Sequence, residues 1–73
     1  MTNIEKIIDI ICEDMEVTAP DINKLPENSL SQADRIPEEE IEEFAIGSED
    51  RQIEIAKRYN AMELHLALNN LFS

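Results

Sequence analysis

The chain has few of the residues on which most enzymes and many nucleic-acid-binding proteins depend. Its 73 residues include one histidine, one glycine, no tryptophan and only three other aromatic residues, Phe44, Tyr59 and Phe72. A single glycine excludes a glycine-rich loop for phosphates, and three scattered aromatic side chains do not form a surface for stacking bases. His65 belongs to no metal-binding or catalytic motif, and we expect it to be a packed or half-exposed side chain. The sequence therefore predicts no enzyme, no metal site and no cofactor.

Cysteine and long apolar runs are also scarce. Cys12 is the only cysteine, so the chain forms no internal disulfide, and we expect this side chain to be a small buried hydrophobic group. A free thiol without a recognisable signal peptide favours a reducing cytoplasm. The apolar runs are only a few residues long, whereas a membrane-spanning helix needs about 20. We therefore expect no membrane partner.

Positively charged residues are also scarce. Six Lys and Arg residues stand against 17 Asp and Glu, which gives a formal net charge of −11. This charge disfavours direct binding to nucleic acid or anionic lipid, because both would repel it, and it favours a basic protein partner. Residues 1–50 carry 15 acids and three bases, but residues 51–73 carry two acids and three bases. The sequence predicts a single domain, 1–73, with an acidic front and a nearly neutral, apolar C-terminal part.

The segment 37–47 concentrates the negative charge. Pro37 suits the first position of a helix, and glutamates in the first turn are stabilised by the helix dipole. Gly47 suits the left-handed conformation that ends many helices. In the predicted helix, 37–46, Ile41 lies on an apolar face and the carboxylates cover the rest. These carboxylates belong to Glu38, Glu39, Glu40, Glu42 and Glu43.

The glutamates of this helix repel one another. Glu38 with Glu42, and Glu39 with Glu43, are like-charge pairs four residues apart, and each pair is destabilising by about 0.2–0.5 kcal/mol. Five carboxylates within about 7.5 Å of helix axis approach the density of duplex DNA, which carries one phosphate per roughly 1.7 Å. The helix is therefore either a solvated face of an acidic protein or an imitation of a nucleic-acid backbone.

Two further helices are predicted. Thr2 and Glu5 match a capping box, and the isoleucines that follow recur at helical spacing, which predicts an amphipathic helix over residues 3–15. Ser48 is a suitable N-cap for a last helix over residues 49–70. The apolar residues of this last helix fall on two opposite sides, and such a helix is usually covered on both.

The second apolar side supports an alternative function. A symmetric dimer would cover it readily, and the protein would then be a small homo-oligomeric helical interaction or regulatory module. The residues predicted for this oligomer interface are Leu64, Leu68, Leu71 and Phe72.

The segment 16–36 lies between the first helix and the acidic helix. Pro20 and Pro26 interrupt it, but its apolar residues are spaced as if to anchor it on a core. A short helical turn from Pro26 or Ser29 to Asp34 would add a fourth helix. The sequence thus predicts an all-α domain of three to four helices with a long ordered loop, and such a loop is more often functional than idle.

Two stretches resemble the phage uracil-DNA glycosylase inhibitor family. Glu27-Asn28-Ser29-Leu30 is similar to that family's Glu-Ser-Ile segment. Ile36-Pro37-Glu38-Glu39-Glu40-Ile41-Glu42-Glu43 is similar to its Leu-Pro-Glu-Glu-Val-Glu-Glu helix. In that family the first segment occupies the DNA-binding groove of the glycosylase, and the acidic groups imitate phosphates. The family is built on an antiparallel sheet, whereas this chain is predicted to be helical.

The charge pattern and the resemblance together imply a function and a site. The protein would be a DNA mimic that inhibits a basic DNA-binding enzyme, with uracil-DNA glycosylase favoured, by occupying its DNA-binding cleft in the host cytoplasm. The residues predicted to contact this partner are Glu27, Ser29, Leu30, Asp34, Glu38, Glu39, Ile41, Glu42 and Glu43.

Overall fold

The computed structural model describes residues 2–73 and confirms the all-α prediction. Within that range it contains five α-helices, one short 3₁₀ helix and no strand. The elements are α1 (Asn3–Met15), the 3₁₀ helix (Ile22–Lys24), α2 (Glu27–Ala33), α3 (Glu38–Ile46), α4 (Glu49–Arg58) and α5 (Met62–Leu71). The predicted number of three to four helices is therefore slightly too low. None of the helices described is long and apolar enough to cross a membrane.

The last predicted helix is in fact two helices. Asn60 adopts the left-handed conformation with φ of 56°, and the Ala61 N–H donates to the Ala56 carbonyl at 2.7 Å. This six-to-one hydrogen bond is the Schellman arrangement that ends helices, and asparagine tolerates the left-handed conformation better than most residues. No glycine or proline marks the break, so the helical periodicity of the sequence did not reveal it.

Both ends of α1 are fixed by local hydrogen bonds. The predicted capping box is present: Glu5 accepts from the Thr2 N–H at 3.0 Å, and the Thr2 hydroxyl accepts from the Glu5 N–H. The Thr2 N–H and the Thr2 hydroxyl both donate to the Glu5 carboxylate, and these two bonds lower the pKa of Glu5. At the other end Glu16 is left-handed, with φ of 56°, and the Val17 N–H donates to the Cys12 carbonyl at 3.1 Å.

The end of α3 differs from the prediction. Gly47 has a φ of −69°, so it is not a left-handed cap. Its N–H donates to the Glu43 carbonyl at 2.8 Å, and a Cβ atom at this position would lie 2.3 Å from the same oxygen. Glycine is therefore required by the close approach of the two backbones and not by a positive φ. Pro37 is the N-cap residue, so α3 begins at Glu38, one position after the predicted start.

The segment 16–36 is more ordered than a loop, because side chains from distant elements hold its second half. The predicted turn before Asp34 is the helix α2. The Asn3 amide donates to the carbonyls of Ala33 and Ile36 at 3.1 and 3.2 Å, which satisfies the C-terminal end of this helix. Gln32 accepts from the Leu64 N–H at 3.0 Å and so caps the N-terminal end of α5.

All five α-helices contribute to one apolar core. Phe44, Ile55 and Leu64 have no exposed surface, and Cys12 is buried as predicted. Because the chain turns back at Asn60, the two apolar stripes of the last predicted helix face this single core from different directions. Most of their side chains are covered by the chain itself, although Leu66 is exposed.

This packing corrects the predicted oligomer interface. Leu64 and Leu68 are buried inside the chain, with 0% and 2% exposure, and do not form part of its surface. Leu71 and Phe72 are partly buried at the edge of the core. Leu66, which the helical periodicity places on one of the two apolar sides of the predicted last helix, is 56% exposed on α5.

Replacing Glu16 by glycine should stabilise the fold. A left-handed conformation costs an ordinary residue about 1–2 kcal/mol, and glycine avoids this cost while losing part of it to backbone entropy. We expect Glu16→Gly to raise the free energy of unfolding by about 0.5–1 kcal/mol in urea denaturation. Glu16→Gln is the matched control, since it removes the same charge but keeps the Cβ atom. Equal stability of the two variants would show that charge, and not backbone conformation, is responsible.

Candidate protein-binding face

Helices α1 and α3 lie side by side and run in the same direction. Lys6, near the start of α1, pairs with Glu38 at the start of α3 at 3.2 Å. Asp14, near the end of α1, lines the same depression as Ile46 at the end of α3. The segment that contains α2 returns the chain to the starting end, and this return makes the parallel arrangement possible.

A shallow groove separates the polar faces of these two helices. It consists of two open depressions of about 410 and 320 Å³, which share Ile10 and Glu42. Apolar side chains line its centre and carboxylates line both sides. We call this surface the acidic groove; its residues are Lys6, Asp9, Ile10, Glu13 and Asp14 of α1 and Glu38, Ile41, Glu42 and Ile46 of α3. Ile46 is 41% exposed, Ile10 is partly buried and Ile41 is buried beneath them.

Tertiary packing brings cations to the acidic helix, which the sequence of that helix does not show. The pairs are Lys6–Glu38 at 3.2 Å, Arg51–Glu43, and Arg58–Glu40 at 2.7 Å. Three of the five glutamates of α3 are therefore paired inside the chain. Glu39 and Glu42 have no ion-pair partner among residues 2–73. The repulsion predicted within the acidic helix is therefore partly relieved by these three cations.

Glu40 has a structural role. Its carboxylate accepts hydrogen bonds from Arg58 and from the Tyr59 hydroxyl, and only 17% of its side chain is exposed. Because the hydroxyl donates to a carboxylate, the pKa of Tyr59 is raised. These contacts tie α3 to the end of α4, just before the turn at Asn60.

Helix α1 adds further carboxylates to the face that α3 forms, and these offset the charge neutralised by the three ion pairs. Where α1 and α3 lie alongside each other they carry eight carboxylates, against the three cations that pair with them. The excess of five negative charges extends over about 12 Å of helix axis, where duplex DNA would carry about seven phosphates. The face is thus about two-thirds as densely charged as DNA. The sequence did not identify the α1 carboxylates as part of the site, because it does not show which helix lies beside α1.

The residues predicted from the Glu27–Leu30 segment are only partly accessible. Ser29 is fully buried and its hydroxyl has no hydrogen-bond partner in the described part of the chain, 2–73, while Leu30 is half-buried. Glu27 and Asp34 are exposed. Helix α2 packs mainly against α5, whereas α3 packs against α1 and α4. The two stretches on which the resemblance depends therefore pack on different parts of the core, and Ser29 is a core residue rather than a contact residue.

His65 is packed, as predicted, in a buried polar chain. Its Nδ1 lies 2.6 Å from the Gln52 side-chain oxygen, and the Gln52 amide donates to the Phe44 carbonyl at 2.7 Å. These contacts fit an imidazole that donates from Nδ1, so Gln52 links α3, α4 and α5.

Burial raises the pKa of the Cys12 thiol. No group of three or more His, Cys, Asp or Glu side chains in residues 2–73 is placed to hold a metal ion.

Comparison of the chain with protein-family models, with curated proteins and with solved structures finds no match. The resemblance to the glycosylase inhibitors therefore depends on the residues quoted above. The antiparallel sheet on which that family is built is not present in residues 2–73.

Replacing Ser29 by alanine should leave the fold intact or stabilise it. A buried hydroxyl without a partner loses its hydrogen bonds to water on folding, so its removal is expected to raise the free energy of unfolding by about 0–1 kcal/mol. Ser29→Thr, which adds a methyl group to a filled site, should instead cost about 1–3 kcal/mol. Thermal and urea denaturation measure both. A clear loss of stability in Ser29→Ala would mean that the hydroxyl is hydrogen-bonded.

The Arg51–Glu43 pair should make stability depend on pH in the acidic range. The hydrogen bond from Arg51 lowers the pKa of Glu43 below the usual carboxyl value of about 4.3. The pair therefore stabilises the fold above that pH, and its contribution is lost as the pH falls through the lower, folded-state pKa. Glu43→Gln should be less stable than the parent protein at pH 6, and the difference should shrink towards pH 3 in urea denaturation. Glu42→Gln, which removes an unpaired carboxylate, should show no such loss at pH 6.

Proposed function

We propose that the protein is a DNA mimic, which binds the DNA-binding cleft of a basic enzyme and inhibits it by excluding DNA. The observation that supports this proposal is the acidic groove, along which two parallel helices contribute five carboxylates and one cation, Lys6, over about 12 Å. The fold does not require all of the charges on this face, since Glu39 and Glu42 have no ion-pair partner among residues 2–73, and like charges four residues apart repel one another.

The arrangement suits fast and salt-sensitive binding. A strongly negative face attracts a positively charged cleft over long distances, which accelerates encounter at low ionic strength. The carboxylates project from helices that pack on the core, so little backbone freedom is lost on binding. Ile10 and Ile46 add apolar surface among the carboxylates, and burial of this surface would slow dissociation.

The favoured target is uracil-DNA glycosylase. This choice depends on the similarity of Ile36–Glu43 to the acidic helix of the glycosylase inhibitors, here presented on a helical scaffold instead of a sheet. We propose that the protein acts in the cytoplasm of a phage-infected host cell and is not itself an enzyme.

A uracil-excision assay tests the proposal. Purified glycosylase should lose activity in proportion to the protein added. The groove variant Asp9→Asn/Glu13→Gln/Glu42→Gln should require about tenfold or more protein for the same inhibition, which corresponds to about 1.4 kcal/mol of binding energy. Raising the salt concentration should reduce this difference.

A charge-matched control decides which surface binds. Glu27→Gln/Asp34→Asn/Glu63→Gln removes the same number of charges from the α2–α5 side and should inhibit as well as the parent protein. If this control is the weaker inhibitor, the binding surface includes α2 and not the acidic groove. Full glycosylase activity at a large excess of the parent protein would contradict the proposed target.

A further inference from the structure

We propose that the acidic groove binds a basic, amphipathic α-helix of the partner, which lies between α1 and α3 as a third helix. This inference depends on the proposed function, because it describes how the basic partner is held. It specifies an occupant with apolar residues along one stripe and Lys or Arg on both sides of that stripe.

The apolar centre of the groove distinguishes such a helix from a purely phosphate-like contact. Ile46 is 41% exposed although it is a large apolar residue at the end of a helix, and Ile10 remains only partly buried between the depressions. A face that imitates only phosphates has no use for isoleucine at its centre. An apolar stripe on a docked helix would cover both side chains.

The shape of the groove fits a helix. The parallel packing of α1 and α3 makes a straight furrow from the Lys6–Glu38 pair to Asp14 and Ile46, about 12 Å long, or two helical turns. A third helix placed over such a furrow makes the ridge-and-groove contacts by which helices usually pack, at interaxial distances of about 8–10 Å.

The carboxylates repeat at the spacing that a basic helix requires. Asp9 and Glu13 on one side, and Glu38 and Glu42 on the other, are each four residues apart, or about 6 Å along the axis. Lys or Arg residues at i and i+4 on each flank of the docked helix would meet them in turn. The spacing of the carboxylates and the apolar centre of the groove thus match the known mode of recognition in which an amphipathic helix lies in a groove.

The ends of the groove also predict a direction. Lys6 lies at the end where α1 and α3 begin, and Asp14 lies at the end where they finish. A docked helix is favoured with its negative C-terminal end near Lys6 and its positive N-terminal end near Asp14. The bound helix should therefore run antiparallel to α1 and α3.

A synthetic peptide tests the inference directly. The probe is a fluorescent peptide of about 15 residues with leucines at i, i+3, i+4 and i+7 and lysines on both flanks. Its control has the same composition in an order that is not amphipathic. Fluorescence anisotropy should show at least tenfold tighter binding of the amphipathic peptide, and a spin label at its N-terminus should broaden the amide signals around Asp14 rather than those around Lys6.

Matched variants distinguish specific binding in the groove from non-specific hydrophobic binding. Ile46→Ser should weaken binding of the amphipathic peptide about tenfold and leave the weak binding of the control peptide unchanged. Leu66→Ser removes a leucine that is 56% exposed on α5 and should have no effect. Equal affinity for both peptides, or an equal effect of the two serine variants, would overturn the inference.

The outcomes also distinguish this inference from the proposed function. Inhibition of the glycosylase that depends on the groove carboxylates but not on Ile46 would support DNA mimicry and overturn helix docking. Peptide binding that depends on Ile46, without glycosylase inhibition, would support helix docking and contradict the target.

Discussion

The packing of α1 against α3 is the interaction on which the surface of this protein depends. The isoleucines of α1 and the apolar side of α3 join the same core, and full burial of one such side chain contributes about 1.5–3 kcal/mol. Each like-charge pair four residues apart within α3 costs only about 0.2–0.5 kcal/mol, so the burial of apolar side chains outweighs this repulsion. Two acidic helix faces are thereby held next to each other. Lys6, Arg51 and Arg58 each pair with one carboxylate of α3, and Glu39 and Glu42 have no ion pair within residues 2–73.

The features that depend on nearest neighbours along the chain were predictable. The capping box at Thr2, the limits of α1 and the extent of α3 follow from local spacing and capping. The turn at Asn60 was not predictable from the sequence, because one asparagine inside a helical pattern is a weak signal. The left-handed conformation of Asn60 is stabilised only by the packing of α5 on the core. The caps supplied by Asn3 and Gln32 act over about 30 residues, and no local rule predicts them.

In the candidate site, too, some features were predictable from the sequence and others depend on tertiary packing. The α3 carboxylates are evident in the sequence, whereas those of α1 become part of the face only through the parallel alignment. Ser29 and Ile41 were selected because they stand inside motifs, yet both are buried. The position of a residue within a sequence motif does not show whether its side chain is exposed. The turn at Asn60 also places Leu64 in the core, which leaves the acidic groove, and not the last helix, as the most distinctive surface for a partner.

The central claim is that this groove is where a basic partner binds, and chemical-shift mapping tests it most directly. The ¹⁵N-labelled protein would be titrated with purified uracil-DNA glycosylase and its amide signals followed residue by residue. If the glycosylase binds in the acidic groove, signals from residues 9–14 and 38–46 should change together, while those of α2 and of the Leu66 side of α5 should not. Changes confined to α2 and α5, or no change at saturating glycosylase, would contradict it.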